Sequence, residues 1–438
     1  MSNSELTPDR HYSAEEFWSA RPLLQRIKWW SSYLTKSPYA ILVWVMVQML
    51  ARIPYETQYV TKVGGNSLNL TFVISGNTGT GKTAARKLAS LGKIVNFLGT
   101  YWSAVPLVQP RSGESVGDSF YIRVKVTNAD GTETWKDEWI NLNHAVIFFY
   151  DEVLFFNGKQ RQNSSTLASV FLSLWSCEML GGALAGGKGK TVEADSYRAV
   201  SVFHSQLEND PFRSDVASYS GETSRVLTVS STNPNARKDL EQVKGQLEPA
   251  PFDIPRFGGV GDSATPQFRA LPEMEAAQEE QDLAASEGTH DRGRSHEVLQ
   301  RSKIACVLAA LDGRTKLVIE DWHLAGHLIG HSRDMDKAIR KAQNTAARKE
   351  AGKSGALLGL RMGAADETKE EYAIERVGRL LRKWAPEVGY DLTLPPSHPS
   401  NISTAGALSG KLSSRNRPLI DAALESIINK QTIEKKEK

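Results

Sequence analysis

Apolar and polar positions recur along this chain with two different periods, and the switches between them mark out the elements. From Glu15 to Trp30 the apolar residues return every three or four positions, the spacing of an amphipathic helix. Ser37-Pro38 then supplies an N-terminal cap and a first-turn proline for a second helix, Tyr39–Ala51, which is apolar all round. At 13 residues this stretch is too short to cross a bilayer as a helix, so it is expected to be buried in the protein. Leu68–Ser75 (LNLTFVIS), Ala145–Tyr150 (AVIFFY) and Arg198–His204 are short runs rich in β-branched, apolar and aromatic residues, as expected of buried strands. Phe120–Thr127 and Thr132–Trp139 flank Asn128–Gly131 (NADG) and predict a β-hairpin. From Ala236 to about His290 the sequence turns acidic and rich in Pro, Gly and Ala, and reads as a long connection with helix only near residues 273–286. Helical patterns return at His296–Leu311 and Glu320–Lys353. Lys369–Trp384, Ile402–Leu412 and Pro418–Asn429 then read as three short helices of a small terminal module with the length and spacing of a winged helix.

The chemistry is concentrated where two of these strands end. Leu68–Ser75 runs into Gly76, Asn77, Thr78, Gly79, Thr80, Gly81, Lys82 and Thr83, a full match to the phosphate-binding pattern G-x-x-x-x-G-K-S/T, and Ala84–Leu91 (AARKLASL) follows as a run of good helix formers. Strand, glycine-rich turn and helix N-terminus together make an anion cradle, since loop N–H groups point inward and the helix dipole adds partial positive charge. Lys82 is expected to reach the β- and γ-phosphates of ATP, and Thr83 to hold Mg²⁺ through its hydroxyl. Ala145–Tyr150 ends in Asp151-Glu152, an acid pair at a strand terminus. Asp151 is assigned to the metal and Glu152 to the general base that activates water, a role that argues against a small-molecule kinase.

Two further polar groups are assigned on position. Arg198–His204 runs out through His204, Ser205 and Gln206, and Gln206 is chosen as the sensor of the γ-phosphate because its amide both donates and accepts hydrogen bonds. Arg225 precedes another apolar strand; in ring ATPases an arginine so placed often reaches the nucleotide of the adjacent subunit. A second glycine-lysine match, Gly182–Lys188, has no strand before it and Gly189 where the metal-binding hydroxyl belongs, so it reads as a loop. With Lys188 and Lys190 that loop is a candidate contact for DNA phosphates. In the terminal module, Lys411, Arg415 and Arg417 are the candidate DNA contacts. Lys28-Trp29-Trp30 has the make-up of a base-stacking segment, but tryptophans at helical spacing are more often core.

Bulk properties narrow the class without naming it. The 438 residues carry 40% apolar and 24% charged side chains with a net charge of +3, ordinary for a soluble globular protein of two or three domains. From His331 onward there are 20 Lys and Arg against 14 Asp and Glu, so the basic excess is local to the C-terminal part. Cys177 and Cys306 lie far apart with no metal-ligand spacing, which suits buried thiols in a reducing cytoplasm. The polar, acidic N-terminus does not read as a signal peptide.

With these pieces placed, the chain resembles a family of P-loop ATPases encoded by phages, plasmids and integrative elements of actinobacteria, similar to the helicase half of primase–helicase replication proteins. The resemblance rests on FWSARPLLQRI at Phe17–Ile27, SPYAILVWVMVQMLARIP at Ser37–Pro54, the phosphate-loop segment from Val63, RSGES at Arg111–Ser115, and the FFYDEV strand. DSYRAVSVFHSQ at Asp195–Gln206, the strand with Arg225, LQRSKIACVLAALDGR and Ile319–Ser332 complete it. It implies an α/β fold with a RecA-like P-loop NTPase core at 63–235, an N-terminal helical region at 1–62, a connecting segment at 236–295, a helical lid at 296–360 and a winged-helix-like module at 361–438. It also implies a Mg-dependent, cytoplasmic ATPase acting on single-stranded or forked DNA as a homo-oligomer, a hexamer among the options, with a primase supplied separately and no membrane partner. An ATP-switched DNA-binding initiator or regulator without helicase activity is the alternative.

Overall fold

In the computed structural model the described residues are 9–90, 92–98, 105–110, 112–152, 167–181, 190–213, 221–255, 257, 265–412 and 416–436. The chain divides into two compact units, residues 1–344 and 345–438, with the boundary inside the helical stretch Ile319–Val388.

The first unit is built on a parallel sheet of five strands: β1 (Leu70–Ser75), β2 (Leu107–Val108), β3 (Ala145–Tyr150), β4 (Arg198–Ser205) and β5 (Val226–Ser230). Their order across the sheet is β5-β1-β4-β3-β2, and every neighbouring pair is parallel. All residues of β1, β3 and β4 are buried, which is why these strands read as unbroken apolar runs rather than alternations: a parallel sheet is covered on both faces. Alternate side chains go to opposite faces. Leu70, Phe72 and Ile74, with Phe149, Val202 and Leu227, enter a core shared with the helices of the N-terminal region and Glu297–Leu311. Val73, Phe148, Tyr150 and Phe203 face the other way, onto Phe171, Leu174 and Phe120.

The N-terminal helices are α1 (Ala14–Ser19), α2 (Pro22–Tyr33) and α3 (Pro38–Leu50), and α4 (Lys82–Ser90) follows the glycine-rich loop after β1. The amphipathic run thus breaks at Ala20-Arg21, where Pro22 opens a new helix. Ser37 caps α3 as expected, its hydroxyl accepting from Ala40 N–H at 3.3 Å. Helix α3 is buried on nearly all sides and packs between α2, α4 and the sheet, so its uniform apolarity reflects a core position. Among the described residues no helix is long and apolar enough to cross a membrane. The hairpin forms as Tyr121–Thr127 and Glu133–Trp139, antiparallel, with Gly131 at φ +82° in its turn. Both cysteines are buried and free.

Two expectations need correction. The stretch read as a connection has its expected helix at Pro272–Ser286, but it also carries the helix Ala236–Val243, while Phe252–Ile254 pairs with Val95–Phe97 and Phe268–Arg269 with Gln58–Val60. Its strands are two or three residues long, too short for any periodicity to register, and they belong to the first unit. The second unit, in turn, has helices and turns but no strand among its described residues: the end of Ile319–Val388, Pro399–Gly410 and Ile420–Lys436 enclose Val377, Leu381, Leu408, Leu424 and Ile427. A winged helix needs a strand pair after its recognition helix, and the described residues contain none; the Pro-rich segment Asp391–Ser397 forms turns instead.

Candidate functional site

The glycine-rich loop Gly76–Gly81 leaves the carboxyl end of β1 pinned from both neighbouring strands. Gly76 N–H donates to Ser205 O of β4 at 3.1 Å, and Ser231 N–H, just past β5, donates to Ser75 O at 2.8 Å. Gly79 and Gly81 hold φ of +82° and +89°, backbone that residues with a Cβ rarely adopt. Gly76 is constrained differently: a Cβ there would sit 2.1 Å from Ser231 Oγ. The Thr80 hydroxyl donates to Asn77 O at 2.8 Å, so at 2.6 Å it accepts from the Ser231 hydroxyl, which latches the loop to the end of β5. Asn77, Thr78 and Gly79 form the exposed tip. At Lys82 the loop becomes α4, whose first N–H groups lack intrahelical partners and carry the positive end of the helix dipole.

Lys82 Nζ donates to Gly76 O at 2.6 Å and Asn77 O at 3.2 Å. Burial pulls the pKa of this ammonium below the usual lysine value, opposed by the nearby carboxylates of Glu152, Asp151 and Glu208. The acid pair lies across the same crevice: Thr83 Oγ1 donates to Asp151 Oδ1 at 3.2 Å. Both Asp151 and Glu152 are exposed at the carboxyl end of β3. Sequence distance hides this proximity, because β4 is inserted between β1 and β3 and must be crossed to bring residue 83 to residue 151.

Strand β4 brings a residue that the sequence reading passed over in favour of Gln206. His204 Nδ1 lies 2.8 Å from Asp151 Oδ1, and its side chain is fully buried while Asp151 is 59% exposed. The imidazole is edge-on to Trp44 of α3 and to Phe149. Burial draws its pKa down to about 4, against the opposite pull of Asp151. The ring is therefore neutral near pH 7, and its proton must sit on Nδ1 to donate to a carboxylate. Nε2 is left buried without a partner. The signal was present in the sequence: His204 shares the parity of Val200 and Val202, so it faces the α3 side of the sheet, one step before the strand exits.

Gln206 follows directly on Ser205, half-buried, its amide oxygen accepting from Asn209 Nδ2 at 3.4 Å. Arg225 is at the amino end of β5, whereas the glycine-rich loop is at the carboxyl end of the sheet. It donates to Gly221 O at 3.1 Å and lies over the Trp175 ring, and burial lowers its pKa. Lys190 pairs with Asp137 of the hairpin at 3.0 Å and lies over Tyr121, so its charge is partly spoken for within the chain. Leu180 and Val192 form an isolated antiparallel bridge, while Gly182–Lys188, with Lys188 itself, lies outside the described residues. In the second unit Lys411 is 3.6 Å from Glu387 and Arg417 donates to Ser409 O; Arg415 is outside the described residues. Trp30 is core, and Trp29 donates to Gln246.

Among the described residues no cluster of three or more His, Cys, Asp or Glu could hold a metal on protein ligands alone. The pair of oxygen donors on Thr83 and Asp151 does suit Mg²⁺, which takes one or two protein oxygens and completes its shell with phosphates and water. Compared with known proteins, the chain matches no family model and no curated protein.

Proposed function

We propose that this chain is a Mg-dependent ATPase with a RecA-like core that couples hydrolysis to translocation on, or unwinding of, DNA. The observation that carries the reading is the shared crevice, with Lys82 and Thr83 facing Asp151 and Glu152 across the edge of β1, β4 and β3. A phosphate loop alone binds; a carboxylate pair opposite it can also direct water.

Each residue then has a task. Lys82 exchanges its loop carbonyls for the β- and γ-phosphate oxygens when a triphosphate arrives. Thr83 and Asp151 would hold the Mg²⁺, which supplies neutralisation of the phosphate charge. Glu152 accepts a proton from the water that attacks the γ-phosphorus as the bond to the β-phosphate oxygen breaks, leaving ADP and phosphate. His204 keeps Asp151 turned towards Thr83. Gln206, at the exit of β4, senses the γ-phosphate. Arg225, remote from its own loop, is suited to the nucleotide of a neighbouring subunit, which makes oligomerisation part of the proposal.

The DNA half of the proposal rests on the resemblance of the motifs and the local basic excess after His331. The rate of phosphate release with and without single-stranded DNA tests it. Stimulation of tenfold or more supports a motor, and forked-DNA unwinding would identify a helicase. An unstimulated rate with ATP-dependent assembly on DNA would favour the initiator or regulator instead.

A further inference from the structure

The first unit contains a cavity of about 810 Å³ between α1, α2, the start of α3, the helix Ala236–Val243 and the helical stretch from Ile319. Its walls include Trp29, Tyr39 and Met335, and Asn233, Asn235 and Gln242 bring amide groups to it. Such a volume, with aromatic walls and a few polar groups, is that of a small-molecule site. Two short segments join it to the phosphate loop. On one, the Lys36 side chain comes within 2.8 Å of where a Gly81 Cβ would be, the Ser37 hydroxyl donates to Ser230 O at 2.5 Å, and Pro38 and Tyr39 line the cavity. On the other, Ser231 latches Thr80 while Ser230 and Thr232, its neighbours on either side, line the cavity. The sheet order gives the direction: the acid pair lies on the β4–β3 side of the loop, and the cavity on the β5 side. Phosphates running away from the acid pair across the loop lead to this cavity.

We infer that the cavity receives the nucleoside of the triphosphate, with the Trp29 ring, stacked on Tyr33, extending an aromatic surface to the base and Asn235 and Gln242 available to its edge, beside an Asn233 amide already held by Asp239 and Asn235 N–H. Lys36 adds a cation where the phosphate chain leaves the loop. The inference rests on the phosphate-loop reading above and adds where the base is recognised and by which residues. It implies that the helices ahead of β1 are part of the nucleotide site.

The test uses the full chain and two ligands, Mg-ATP and Mg-tripolyphosphate, which share the phosphates and differ in the nucleoside. Trp29→Ala removes a wall; Gln242→Trp, at an exposed wall position, obstructs the space without touching the core. Each is expected to weaken ATP by about tenfold, in keeping with the loss of a base–aromatic contact, while tripolyphosphate binds as to the wild type. ATP binding unchanged in both variants, or a loss shared equally by the two ligands, would overturn the nucleoside site. Failure of either ligand to bind the wild type would instead overturn the phosphate-loop reading. Thermal unfolding without ligand separates misfolding of the Trp29 variant, in which case the Gln242 variant decides.

Discussion

Replacing His204 by alanine probes the least expected contact of the site. The imidazole donates to Asp151 at 2.8 Å from a fully buried position, so truncation removes one hydrogen bond to a carboxylate and opens space beside Trp44 and Phe149. A hydrogen bond to a charged group contributes about 1.5–3 kcal/mol, and the exposure of Asp151 argues for the lower end. If about 1.5–2.5 kcal/mol of that is lost in the transition state through a misoriented carboxylate, kcat falls roughly 10- to 70-fold. The KM for ATP should change little, because the phosphate loop is untouched. His204→Asn is the informative partner: its amide nitrogen can occupy the place of Nδ1 and should recover much of the rate, whereas alanine cannot. Steady-state hydrolysis at several Mg²⁺ concentrations reads both, and the alanine variant should need more metal to reach half its maximal rate. A wild-type rate in His204→Ala, or equal defects in the alanine and asparagine variants, would refute the positioning role.

Other consequences can be measured independently. Gly76→Ala places a methyl against Ser231 Oγ and should abolish nucleotide binding, with Ser231→Gly in the same chain restoring part of it; no restoration would show that the clash is not the cause. His331 accepts from Ser230 N–H, and burial holds its pKa at about 4 against an ordinary 6.5. Unfolded chain therefore binds this proton first as the pH drops, so stability is complete above about pH 6.5 and declines towards pH 4, by roughly 2 kcal/mol at pH 5 from this group. Denaturant midpoints at pH 7 and pH 5 check the sign, and His331→Gln should reduce the difference without removing it, because His204 and His296 are depressed to about 4 as well.

The parts of the molecule legible in the sequence are those whose signals are local. The glycine-rich turn after β1, the strands β1, β3 and β4, the capped helix α3 and the hairpin each declare themselves within about ten residues, through periodicity, turn residues or a cap. The pairings that complete the site are not local. Asp151 meets His204 across 53 positions and Thr80 meets Ser231 across 151, and only the order of strands in the sheet creates those contacts. Hydrogen-bonding capacity favours Gln206 over His204 as a sensor, but it does not register which face of the strand a residue occupies, and so it leaves the contact of His204 with Asp151 unseen. The segment after Ala236 misled because its composition is that of a linker, while its short strands are held by partners far away in sequence. The terminal module showed its helices, but helix spacing alone could not reveal whether a wing follows.

The measurement closest to the central claim is phosphate release from Mg-ATP by the full chain, compared with Lys82→Ala and Glu152→Gln. Hydrolysis by the wild type is expected to vanish in both variants, with ATP binding lost in the lysine variant and retained in the glutamate one. Undiminished turnover in Glu152→Gln, or ATP hydrolysed equally well without the Lys82 ammonium, would contradict the claim that this crevice both grips and cuts a triphosphate.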